Sequence, residues 1–201
     1  VYLFKSNLNV DEWGAIMRGM VADTTGAIYL LEENDQMYRL NPGTGVMDTV
    51  YLHDERTGER IDFHCGFEVV YDQQDYLWFI GCTNDRTEGR LFRYDLATCN
   101  VRTYPYPQRF TSLTYGPDSL LYIGTGDVAT ANEKILVFDP RMEAYRKPEG
   151  TKLRDFSSSQ LINYLFWDSQ TTLWIGTGGA GLYQYQPASD RLGHYNSLSL
   201  I

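Results

Sequence analysis

Gly176-Thr177-Gly178-Gly179-Ala180-Gly181 spells G-x-G-x-x-G, the pattern that lets backbone approach a pyrophosphate held at a helix N-terminus. That chemistry needs a strand before the glycines, a helix after them and an acidic residue about 20 positions on. Here Leu182-Tyr183-Gln184-Tyr185 follows, a strand pattern, so the glycines read as a tight loop between strands, and Gly124-Thr125-Gly126 reads likewise. Asp23, Asp72 and Asp168 could work as general acids or bases. They recur at one position of a repeated pattern beside turn residues, so capping of those turns is the expectation. His53, His64 and His194 have no metal-ligand spacing. His194 falls in an outer strand and reads as a surface residue, whereas His64 lies just before an inner strand, where a ligand could be met. Cys65, Cys82 and Cys99 stand 17 and 17 apart with no close pair, which argues against structural zinc. Buried thiols are the expectation, and one disulfide is open if the compartment is oxidising. No G-x-S-x-G or other nucleophile motif occurs, so neither a catalytic residue nor a cofactor or metal is expected.

Residues that differ from unit to unit are better candidates than residues that repeat. Met17-Arg18, His64, Arg109 and Gln160 lead into first strands; Asn84-Asp85-Arg86 and Asp127 to Lys134 join second to third strands. From these segments we take Arg18, His64, Asn84, Arg86, Arg109, Asp127 and Gln160 as candidate ligand contacts. Arginine forks and Asn or Asp groups suit a hydroxyl- or carboxylate-bearing oligosaccharide.

The elements that hold these residues come from a fourfold pattern. An apolar run ends near Asp or Gly, a turn follows, then an aromatic strand, a variable loop, and another aromatic strand closing on Asp, Asn or Gln. The anchors Leu40, Tyr94, Phe138 and Tyr185 lie 54, 44 and 47 residues apart. A period near fifty with several short strands per repeat signifies a propeller array. The expected fold is therefore an all-β β-propeller of four-stranded antiparallel blades, a partial one. In the last unit the strands fall at Leu161–Trp167, Leu173–Gly176, Gly181–Tyr185 and Arg191–Tyr195. Leu161 to Trp167 is apolar on both alternating faces, as an inner strand packed between neighbouring sheets would be. Arg141 to Asp155 is broken by Pro148 and Gly150 and reads as an insertion loop; helix is hard to find anywhere. The resulting organisation is a single propeller segment. Residues 1–13 are outer strands of a preceding blade, 14–60, 61–107, 108–157 and 158–195 are blades, and 196–201 starts another. Such a chain is expected to be part of a longer array, whose terminal blades would expose edges and apolar faces in isolation.

The last unit, Asp168-Ser-Gln-Thr-Thr-Leu-Trp-Ile-Gly-Thr177 followed by Gly179-Ala-Gly-Leu-Tyr-Gln-Tyr-Gln-Pro187, resembles the two-component regulator propeller repeat. That repeat builds the periplasmic sensor β-propeller of bacterial hybrid histidine kinases. The other units match in outline: Leu31 replaces the strand-end glycine in the first, Leu77-Trp78-Phe79-Ile80-Gly81 carries an extra residue, and the third lacks both the Asp and the Trp. The resemblance implies a non-enzymatic, periplasmic or extracytoplasmic module for ligand sensing or interaction, with any kinase part outside this segment. Similar propellers serve as lyases, so the alternative is a propeller lyase or hydrolase acting on a polysaccharide or similar small substrate. A third reading is a pure interaction scaffold.

Composition narrows the partners. Seventeen Lys and Arg against 26 Asp and Glu give a net charge of −9, which repels phosphate backbones and anionic membranes. No stretch approaches the roughly 20 apolar residues of a membrane span, and no basic-then-apolar leader opens the chain, which begins at Val1. It reads as a mature product or excised segment. The expected partners are an oligosaccharide and neighbouring blades or domains of the parent chain, with no nucleic acid and no membrane insertion. The 16 tyrosines suit half-buried sheet faces, and secondarily stacking on a sugar.

Overall fold

The computed structural model describes residues 17–32, 36–66, 68–83, 85–126, 134–158 and 160–196. The expected strands in residues 1–13 lie outside that set, as does all but Asn196 of the expected start of another blade. Two compact units divide at Tyr106 and Pro107.

In the first unit, β1 (Met17–Ala22), β2 (Ile28–Glu32), β3 (Met37–Asn41) and β4 (Val46–Val50) form one antiparallel sheet in chain order. β5 (His53–Asp54), β6 (Val69–Tyr71), β7 (Tyr76–Cys82), β8 (Gly89–Asp95) and β9 (Asn100–Tyr106) form a second sheet in the order β5-β9-β8-β7-β6. Alternation sorts the residues: Tyr29, Leu31 and Met37 of the first sheet pack on Val69, Leu77, Phe79, Phe92 and Tyr94 of the second. The sheets approach closely at Gly19, where an added Cβ would lie 2.9 Å from the Val69 backbone nitrogen.

The second sheet has five strands where four were expected. The extra one is β5, which pairs parallel with the outer strand β9 through His53–Asn100 and Asp54–Val101. Asp54 holds it there, because its carboxylate accepts from the Arg56 and Thr57 amides and closes a tight turn. Edge strands are best covered, and this short hairpin covers one.

In the second unit, β10 (Phe110–Tyr115), β11 (Leu121–Thr125), β12 (Ile135–Asp139) and β13 (Ala144–Arg146) form one sheet. β14 (Ile162–Trp167), β15 (Leu173–Thr177), β16 (Leu182–Gln186) and β17 (Arg191–Tyr195) form the other, again antiparallel in chain order. Their shared core joins Tyr122, Ile135 and Val137 to Ile162, Leu165, Leu173, Ile175 and Tyr185. This order is that of propeller blades, each a four-stranded meander.

Two expectations need correction here. The stretch Arg141 to Asp155 is not a loop: Ala144–Arg146 is the outer strand β13, and Thr151–Arg154 forms the single helical turn α1. Its capping groups come from far along the chain. Asp190, held in the left-handed region at φ 46°, accepts from the Thr151 amide (3.2 Å), the Thr151 hydroxyl and the Lys152 amide (3.1 Å). Leu153 and Phe156 then bury against the second sheet. The inner strand β14 also departs from strict alternation, because register shifts between Ile162 and Tyr164. Ile162 and Leu165 are buried, while Tyr164 and Phe166 are 68% and 59% exposed; within the described residues the strand packs on one side.

The recurring aspartates are turn caps. Asp72 Oδ1 accepts from the Gln74 and Tyr76 amides (2.9 and 3.1 Å), and its Oδ2 accepts from the Trp78 indole (3.3 Å). Asp168 repeats this with Gln170, Thr172 and the Trp174 indole, all at 2.9 Å. Asp23 caps Thr25 and Ala27. The third blade replaces the pair: Tyr122 occupies the tryptophan position, and its hydroxyl donates to Asp118 Oδ2 at 2.8 Å. Among the described residues no helix is long and apolar enough to cross a membrane.

Candidate functional site

In each sheet that starts with a register shift, the extra residue sits at the same end of the inner strand. The shifts lie between Met17 and Gly19, Phe110 and Ser112, and Ile162 and Tyr164, so Arg18, Thr111 and Asn163 are the bulged residues. A bulge re-aims a side chain and ends pairing. In two of these three sheets the bulged residue meets the loop after the second strand: Thr111 lies against Gly126 and Asn163 against Gly178.

In the second unit this end is built from both blades. The Arg109 carbonyl accepts from Gly126 N at 2.9 Å, and the Leu161 carbonyl from Gly178 N at 3.0 Å. These bonds fix Arg109 and Leu161, the residues just before each inner strand, beside the loops after β11 and β15, and Gln160 adjoins Leu161. Gly126 is required: a Cβ there would lie 2.3 Å from Thr111 Cγ2. The side chains of Gln160 and Asn163 approach Gly179 and Gly178 respectively. Arg109 is half-buried, and its Nε has no acceptor among the described residues; Gln108 Oε1, Thr111 Oγ1 and Ser112 Oγ are likewise buried with no partner among them. Buried polar atoms are normally hydrogen-bonded, so four such exceptions within residues 108–112 at one strand entrance mark a place with unused hydrogen-bonding capacity.

The glycine loop is a strand-to-strand connection, as the sequence implied. Thr177 N donates to the Gly181 carbonyl, the Thr177 hydroxyl donates to the same carbonyl, and Ala180 N donates to Thr177 Oγ1. Gly179 and Gly181 have φ of 151° and 90°, the second requiring glycine. His194 is exposed, stacks on Tyr183 at 4.1 Å and donates from Nε2 to the Ala180 carbonyl at 2.7 Å. It supports the loop from the outer strand.

In the first unit, Arg18 is exposed on β1, and His64 is half-buried just before β6. The His64 carbonyl accepts from Cys82 N at 2.7 Å, and Cys65 and Cys82 form a disulfide. The disulfide locks the segment entering the second blade onto the end of β7. Arg86 is exposed in a turn at φ 59°. That turn is organised by Asp85, which accepts from the Thr83 and Thr87 hydroxyls; Thr83 first, then Thr87, holds the Asp85 carboxyl below the usual range. Asn84 and Asp127 lie outside the described residues. The set thus divides into Arg18, His64 and Arg86 in one unit and Arg109 and Gln160 in the other. The bulge residues Thr111 and Asn163 escaped the sequence reading, since only strand register reveals them. No group of three or more His, Cys, Asp or Glu side chains among the described residues could hold a metal ion.

No protein-family model matches the sequence, and no curated protein does. Solved structures do match. The extracellular domain of the B. thetaiotaomicron hybrid two-component system BT3049 is similar over 91% of this chain and 25% of its own, at 15% identity and TM-score 0.65. That of the one-component system BT4673 from the same organism is similar over 89% and 22%, at 17% identity and TM-score 0.59. An oligogalacturonate lyase from Vibrio parahaemolyticus is similar over 88% and 52%, at 13% identity and TM-score 0.60. The chain spans about a quarter of the length of the two extracellular domains. Identities this low carry the fold alone: the chain is all-β and built of β-propeller blades.

Proposed function

We propose that this chain is part of the extracytoplasmic, periplasmic ligand-sensing or interaction module of a bacterial two-component sensor, and that it recognises an oligosaccharide. The observation that carries the reading is the cluster of buried polar atoms at Gln108, Arg109, Thr111 and Ser112, which have no partner among the described residues. It stands at the entrance of β10, and Gln160, Asn163 and the Thr177–Gly181 loop stand at the matching entrance of β14 in the next sheet. An arginine fork beside amide and hydroxyl groups suits the dense donors and acceptors of a glycan. The likeness to extracellular sensor domains supports the compartment and the sensing role, and the Cys65–Cys82 disulfide suits an oxidising compartment. Signal output would belong to a histidine kinase part of the parent protein. Titration calorimetry with a panel of polysaccharide fragments tests this: saturable heat lost in Arg109→Ala supports it, and no heat from any fragment refutes the ligand.

A second reading, a propeller lyase acting on a polysaccharide or similar small substrate, draws support from the likeness to oligogalacturonate lyase. It calls for convergent His, Arg or carboxylate groups. Turnover of acidic oligosaccharides, with metal analysis, separates it from the first.

A further inference from the structure

At the opposite end of the same strands, the second unit encloses a cavity of about 180 Å³ between its two sheets. Its lining includes Asp118, Tyr122, Arg146 and Tyr185 and the apolar side chains of Val137 and Leu153. The walls are held from outside. Tyr122 donates to Asp118 at 2.8 Å, Tyr185 donates to Asp190 at 3.2 Å, and Asp190 also pins α1, which carries Leu153. Arg146 reaches Glu149 at 3.0 Å and Asp139 at 3.9 Å, yet its Nε, buried, has no acceptor among the described residues.

We propose that this cavity is a binding site for one small neutral polyhydroxy molecule, a sugar ring or polyol, distinct from the oligosaccharide site at the other strand ends. Size argues for a single ring, since the volume falls below the roughly 300–1,000 Å³ typical of larger ligands. Charge argues against an anion: Asp118 and Glu149 balance Arg146 and Lys147 along the lining, so a negative ligand gains no net attraction. The hydrogen-bond inventory suits hydroxyls, which donate and accept at once. Each phenol has spent its proton on a carboxylate and keeps oxygen lone pairs to accept with, while Arg146 has N–H groups to donate. Burial, with the Asp118 and Asp190 carboxylates, pushes both phenols up, Tyr185 to about 12, so these protons stay in place at neutral pH. The face of Tyr122 and the side chains of Val137 and Leu153 would meet the apolar C–H face of a ring.

The test is methyl NMR of the 201-residue chain, titrated with D-glucose, D-galactose and glycerol, and separately with acetate and inorganic phosphate. Expected are concerted shifts of the Leu120, Val137 and Leu153 methyls with at least one polyhydroxy probe, saturating in the millimolar range. Arg146→Met should weaken that binding about tenfold, Val137→Phe should abolish it by filling the space, and Arg109→Ala should leave it unchanged. The proposal is overturned if no polyhydroxy probe moves these methyls, if an anion does so instead, or if Arg146→Met binds as tightly as the parent. Arg146→Met tests it even where Val137→Phe fails to fold. Binding here with no glycan heat at the other site would sink the proposed oligosaccharide site and leave this one standing.

Discussion

Removing the disulfide gives a prediction whose size follows from the chain. Cys65 and Cys82 are 17 residues apart, and the segment they close carries Val69, Leu77, Phe79 and Ile80, all deeply buried. In the chain-entropy treatment, closing a loop of that length removes about 10 cal/mol/K from the unfolded state, about 3 kcal/mol at room temperature. The double variant Cys65→Ala/Cys82→Ala should lose that amount, a fall in melting temperature of about 6–12 °C for a chain of this size. Reductant added to the parent should give the same fall, and reductant added to the variant should give none. Alkylation under denaturing, non-reducing conditions should label Cys99 alone, the exposed free thiol. Labelling of all three cysteines, or a melting temperature indifferent to reductant, would refute the assignment and remove one support for an oxidising compartment.

Further predictions concern the scaffold. Asp72→Ala, which removes two amide caps and the indole partner of a buried tryptophan, should cost about 2 kcal/mol in urea denaturation without altering glycan binding. Thr171 sits at φ 59° where the first blade has Gly26 at φ 83°, so Thr171→Gly should stabilise by about 0.5–1 kcal/mol in the same assay. Acid should weaken the fold. The Thr57 amide holds Asp54 below its usual value, as the Thr83 hydroxyl does Asp85, the Trp174 indole Asp168 and the Thr151 hydroxyl Asp190. Near pH 4 the unfolded chain therefore binds more protons, so their stabilisation is present above about pH 4 and lost as pH falls through the lower folded values. A urea midpoint flat between pH 7 and pH 3 would contradict this.

The repeated residues were legible because their physics is local. An aspartate two and four residues before the amides it caps, with an aromatic partner two residues further on, writes the same turn wherever it occurs, and the glycine loop was disqualified by the strand beside it. The α1 turn was not legible, because its cap, Asp190, is 39 residues from Thr151. Nor were the bulges: Thr111 and Asn163 become distinctive only through register with the neighbouring strand. Substitution hid the Asp118–Tyr122 pair as well. The carboxylate had moved two residues toward its partner and the indole had become a phenol, so the third unit looked incomplete when its staple was intact. Candidate contacts chosen for differing between units included Arg109 and Gln160 at the entrances of β10 and β14, but the buried polar atoms around Arg109 appear only once the sheets pack.

The central claim is that the letters that do not repeat bind a glycan at the strand entrances. Its most direct measurement is calorimetric titration of the parent chain and Arg109→Ala with defined oligosaccharides, with product formation followed in the same samples. Glycan binding through Arg109 should give saturable heat in the parent, loss of that heat in the variant with an unchanged melting temperature, and no product. Cleavage of an oligosaccharide, or heat identical in both proteins, would contradict it.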